Sequence, residues 1–132
     1  MTRKESREMA FTMLFEYSFT EDTAEELFDV AAEAGLAEPD NYCKQAVSIA
    51  IENVSEIDEI VAKYSKGWKL ERISKVALAA LRLAMTELRF FDDIPDSVSV
   101  NEAVELIKKY ATEQDASFAN GILGSYLRAG RE

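Results

Sequence analysis

Ser117-Phe-Ala-Asn-Gly-Ile-Leu123 can be read as a turn between strands or as part of a helix, and the choice sets the fold class. Asn-Gly is among the strongest short turn signals, because both residues tolerate positive φ. Yet Phe118, Ile122, Leu123, Tyr126 and Leu127 fall at i, i+4, i+5, i+8 and i+9, one stripe of a helix. The flanking sequence decides between the two.

Working outward, the pattern is helical on every side. Just upstream, Thr112 to Ala116 reads as a polar loop before a last helix from about Ser117 to Arg128. Before it, Ser99-x-x-Glu102 has the form of a capping box, followed by the apolar face Val100, Ala103, Val104, Ile107 and Ala111. Asp92-Asp-Ile-Pro95 ends the preceding segment, since proline disfavours helical geometry in the residue before it. That segment, about Ser74 to Phe91, contains Val76-Ala-Leu-Ala-Ala-Leu-Arg-Leu-Ala-Met85 and is apolar nearly all round. Such a helix is buried on most sides and should be the hub of the fold. Arg82 is the only charge in that run, and a buried guanidinium needs partners.

Further upstream, a short helical turn is expected between Trp68 and Ser74, and a long helix from Asp40 to Gly67. A helix capped by Thr23-x-x-Glu26 ends at Gly35, and a first helix covers about Lys4 to Phe19. The prediction is an all-α chain of six or seven helices around a buried central helix, with no defensible strand. With no strand to turn between, Gly121 belongs inside the last helix. Glycine there costs about 1 kcal/mol relative to alanine. Close contact with the alanine-rich hub is the expected compensation.

Composition narrows function. At 132 residues and 48% hydrophobic, residues 1–132 suit a single domain with a real core. One cysteine, Cys43, excludes an internal disulfide framework and suits a reducing compartment. No apolar run spans a bilayer and no signal peptide is apparent, so a cytoplasmic location is expected. The absence of histidine removes the commonest general base, nucleophile partner and metal ligand. No glycine-rich phosphate loop appears, and an enzyme is disfavoured. Twenty-five acidic against fifteen basic residues give a charge of −10, which opposes broad nucleic-acid binding. The N-terminal cations Arg3, Lys4 and Arg7 still permit a small anion-binding site.

Asp93-Ile-Pro-Asp-Ser-Val-Ser-Val-Asn-Glu-Ala-Val-Glu-Leu-Ile-Lys-Lys-Tyr110, followed by Ser117-Phe-Ala-Asn-Gly-Ile-Leu123, resembles two motifs of the NusB family of transcription antitermination factors. Leu81-Arg-Leu-Ala-Met-Thr-Glu-Leu88 resembles a third, and Arg3, Arg7, Ala10, Leu14 and Phe15 match the family's N-terminal pattern. The resemblance spans nearly the whole chain in order. It implies two packed sub-bundles and binding of boxA-type single-stranded RNA. It also implies partnership with ribosomal protein NusE within an antitermination complex on RNA polymerase, with neither catalysis nor a cofactor.

Cations along the backbone and aromatic faces under the bases are what hold single-stranded RNA. Arg3, Lys4 and Arg7 are the candidate cations; Phe15 and Phe118 match family positions associated with RNA. Glu71 and Arg72 are candidate partner contacts. Asn101, Glu102 and an Arg82–Glu87 pairing are expected to be scaffold. The chain departs from the family at Ala77 and Leu78, where charges are common, at Ser117, where lysine is common, and at Gly124, which replaces an aspartate. The alternative is therefore an acidic helical scaffold that binds NusE or self-associates, monomer or homodimer when free, with RNA recognition weakened.

Overall fold

The structure, a computed structural model, describes residues 1–131. Its helices are α1 (Arg3–Thr20), α2 (Ala24–Glu33), α3 (Asn41–Glu52), α4 (Val54–Lys63), α5 (Lys75–Phe90), α6 (Asp96–Tyr110) and α7 (Glu113–Arg128). A short 3-10 helix, Leu70–Arg72, lies between α4 and α5, and no strand occurs among the described residues. Thr2 and Thr23 close capping boxes at the starts of α1 and α2, while Asp40, Ser74 and Thr112 accept backbone N–H bonds at those of α3, α5 and α7. Each side chain satisfies one donor that a helix start leaves open.

The hub is α5. Its twelve consecutive residues from Ala77 to Leu88 are all buried, and it touches α1, α3, α4, α6 and α7. The N-terminal helices α1 to α4 form one sub-bundle and α6 with α7 the other, joined through α5. Small side chains make this possible: Ala77, Ala79, Ala80 and Ala84 let neighbouring helices approach from several directions.

Four local expectations are corrected. The long helix from Asp40 breaks at Asn53 (φ −114°, ψ 19°), whose side-chain amide donates to the Ile49 carbonyl at 2.8 Å and competes with the helix ladder. The helix expected from Ser99 begins at Asp96 behind Pro95, because proline's missing N–H costs nothing at a helix start. Ser99 lies a turn inside, where its hydroxyl serves a buried carboxylate instead of a cap. The predicted loop 112–116 is mostly the first turn of α7, capped by Thr112, which accepts from the Asp115 N–H at 3.0 Å. Gly121 does lie within α7, but not against the hub: a Cβ built there meets no heavy atom within 4 Å. Ala116, Ala119 and Leu123 are the buried face of α7.

Candidate functional site

The N-terminal cations have separate fates. Arg7 is 5% exposed; its Nε donates to Glu87 Oε2 at 2.8 Å and its Nη1 to Glu102 Oε1 at 3.3 Å. Glu87, itself buried in the hub, also accepts from Ser99 Oγ at 2.8 Å and from the Tyr42 hydroxyl. Burial works against the Arg7 charge, but the hydrogen bond and charge of Glu87 outweigh it and hold the guanidinium above its ordinary pKa. Burial, followed by the Glu87 charge, pushes the Tyr42 phenol up and keeps it a donor. Arg7 is thus the keystone of a buried polar cluster joining α1, α3, α5 and α6, and its guanidinium is engaged by two carboxylates. Arg7, expected as a phosphate contact, here donates to Glu87 and Glu102. The anticipated Arg82–Glu87 pairing is corrected. Arg82 instead grips Asp58 of α4 through two bonds of 2.9 and 2.8 Å.

Arg3 and Lys4 remain on the surface. Arg3 rests its guanidinium 4.4 Å from the centroid of the Tyr42 ring, a cation–π contact that orders the chain start without neutralising it. Lys4 borders a groove between α1 and α6 of about 380 Å³, shared with Glu105, Leu106 and Lys108. Lys109 on that groove donates to Glu8 at 2.8 Å, and Tyr110 donates to the same carboxylate. Those two hydrogen bonds draw the Glu8 carboxyl below its usual range.

Phe15 and Phe118 are half-buried at the other end of the molecule. Phe15 lies about 18 Å along α1 from Arg3 at 1.5 Å rise per residue. Its ring meets the exposed Phe19 edge-on at 5.1 Å, and Lys75 sits 5.4 Å from the Phe19 centroid. Phe118 meets Trp68 edge-on at 6.0 Å, with Trp68 56% exposed. Ser74, next to Lys75, donates to Asp115 of α7 at 3.2 Å and so ties the two aromatic groups to one neighbourhood.

Lys66 and Arg72 line hollows at this neighbourhood and Lys75 sits at Phe19; together with Lys63 and Lys69 they make five cations at every third residue, with Glu71 the only acid between Lys63 and Lys75. Among the described residues none of the five makes a salt bridge, although seven salt bridges occur elsewhere. Only Arg72 was singled out from sequence. The regular basic spacing, interrupted by the sole tryptophan, is the signal that could have identified the rest. Glu71 and Arg72 are both exposed on the 3-10 helix. Ala77 and Leu78, where the family carries charge, are core residues.

Two hollows flank the Trp68–Phe118 pair. One includes Lys66, Ser117 and Gly121; the other includes Arg72, Ser74 and Ala77; Gln114 borders both. Cys43 takes no part in any of these surfaces. It is buried in α3, where desolvation pushes its thiol up to about 12.

The structure is an all-α bundle around α5 that carries the Trp68–Phe118 pair beside Lys66 and Arg72. The NusB family model matches residues 4–128, and the chain belongs to the NusB family. It is 45% identical to the transcription antitermination protein NusB of Acetivibrio thermocellus, covering 97% of this chain and 90% of the relative. Against the protein of that name from Natranaerobius thermophilus it is 42% identical, covering 93% and 92%. Among solved structures, antitermination factors NusB and NusE in complex with double-stranded RNA match with a TM-score of 0.84 at 32% identity, covering 96% of each chain. T. maritima NusB matches at 0.80 and 36% identity, covering 97% of this chain and 92% of that one.

Proposed function

We propose that this chain is a transcription antitermination factor that binds boxA-type single-stranded RNA together with ribosomal protein NusE, without catalysis, in the cytoplasm. The observation that carries the reading is the Trp68–Phe118 pair, its tryptophan exposed, set beside cations that make no salt bridge among the described residues, on a chain whose net charge is −10. Cations track a phosphate backbone and exposed aromatic faces stack its bases. Membership of the NusB family, and the likeness to a NusB–NusE complex with double-stranded RNA, support the RNA and NusE parts of the reading.

This reading gives the strand a path along the surface. It starts at Arg3 and Lys4, passes Lys108, Lys109 and Tyr110 beside α1, and continues by Phe15, Phe19 and Lys75 to Trp68 and Phe118. Tyr110 stacks on Phe11 midway along α1, at 5.6 Å between ring centroids. NusE, basic like most ribosomal proteins, meets the exposed Glu71 and Arg72 in this reading, alongside the RNA.

Fluorescence anisotropy with labelled boxA RNA and a scrambled control, each with and without NusE, tests the proposal. Preference for boxA that strengthens with NusE is expected. Equal, weak binding to both RNAs, with NusE binding retained, would replace it by the acidic scaffold reading.

A further inference from the structure

We infer that the hollow between α7 and the α4–α5 connection is a slot for one unstacked nucleobase, and that Gly121 keeps it open. The inference rests on the RNA-binding reading above and adds where a base goes and what limits its entry.

Gly121 has no structural reason to be glycine. It lies well inside α7 without positive φ, and a Cβ there would meet nothing within 4 Å. Helix propensity favours almost any other residue at such a position. The space in front of it is an open-mouthed hollow of about 380 Å³ whose walls include Trp68, Phe118 and Ile122. An aromatic and aliphatic wall suits the face of a base. Gln114 and Ser117 border the same hollow, and an amide and a hydroxyl can satisfy donors and acceptors on a base edge. Lys66 borders it as well, a cation placed for the adjoining phosphate. A leucine side chain at 121 would project into this volume without touching the core behind it.

The test uses full-length wild type, Gly121→Ala, Gly121→Leu and, as a control on an exposed neighbouring position outside the hollow, Asn120→Leu. Melting temperature, NusE affinity, RNA affinity and the emission of Trp68, the only tryptophan, are read on the same samples. Base stacking on an aromatic side chain is worth enough that its loss weakens binding by about tenfold or more. The expected result is that Gly121→Leu melts no lower than wild type, loses that affinity for boxA RNA, and loses the RNA-dependent quench of Trp68. Gly121→Ala and Asn120→Leu should bind nearly as wild type does. Wild-type binding with an unchanged Gly121→Leu affinity and quench would overturn the slot alone. If wild type fails to bind boxA RNA with or without NusE, the RNA reading falls and the slot with it. Loss of NusE affinity in Gly121→Leu, with RNA affinity intact, would assign the hollow to the protein partner and overturn the proposal.

Discussion

Arg3 and Arg7 show how one residue type serves opposite purposes within a few positions of chain. Arg3 and Lys4 stay in water, whereas Arg7 donates to two carboxylates and is 5% exposed. Arg7→Ala would leave the Glu87 carboxylate buried with only Tyr42 and Ser99 as donors. Removing one partner of such a pair costs about 3–5 kcal/mol. Urea denaturation should show that loss for Arg7→Ala and only partial rescue by Arg7→Lys, since an ammonium cannot reproduce the forked geometry. If Arg7 contacted phosphate directly, Arg7→Ala would weaken RNA binding with little change in stability. At Gly121 the sign reverses. Gly121→Ala should stabilise the fold by about 1 kcal/mol, because helix entropy is recovered and no atom stands in the way. A urea midpoint below that of wild type would contradict the open space seen there.

At the scale of elements, the connection from α4 to α5 concentrates cations that form no salt bridge among the described residues. Each phosphate neutralised on a single strand contributes about −0.7 to the slope of log K against log salt. Lys69→Ala should therefore make the boxA slope less negative by about 0.7 while leaving the melting temperature unchanged. Titration of affinity across salt concentrations reads this directly, and an unaltered slope would remove Lys69 from the RNA path. The connection's basic spacing was visible in the sequence, but its meaning was not. Spacing of three residues also suits a solvated helix face, and only a short 3-10 helix forms there. The α3–α4 break was hidden for a related reason: apolar residues keep helical spacing through Asn53, so periodicity alone sees one helix where a side-chain amide has interrupted it.

For the whole molecule, the excess of acid makes stability a function of pH at both ends. Hydrogen bonds from the Ser6 hydroxyl and the Cys43 N–H outweigh desolvation and hold the Asp40 carboxyl below its ordinary range. Glu8 is lowered by its bonds from Lys109 and Tyr110. Groups with depressed folded pKa contribute stability that is present above their unfolded values, about 4, and lost as pH falls through the folded values. Cys43 acts in the opposite sense. Its folded pKa, about 12, exceeds the unfolded value, so its contribution is present below pH of about 8.5 and is lost as pH rises towards 12. Melting temperature should accordingly fall below pH of about 4 and again above about 8.5, with Cys43→Ala flattening the alkaline limb. An alkaline limb unchanged in that variant would show that Cys43 does not drive it.

Local order was legible in the residues themselves. Amphipathic spacing, the Thr23 capping box, the Asp40 N-cap and the all-round apolar stretch of α5 determine an all-helical chain with a buried hub, because helix period and end chemistry are set within a few residues. The ordered motifs also marked the family. Tertiary structure alone decided what the polar groups do. The Arg7–Glu87 bond joins residues eighty apart, and the Trp68–Phe118 contact brings together separate helical neighbourhoods. Such pairings depend on how helices pack, and side chains with several available partners take the one that burial makes most costly to leave unmet. That is why Ser99 serves Glu87 rather than a helix end, and why Gly121 opens onto a hollow rather than the hub.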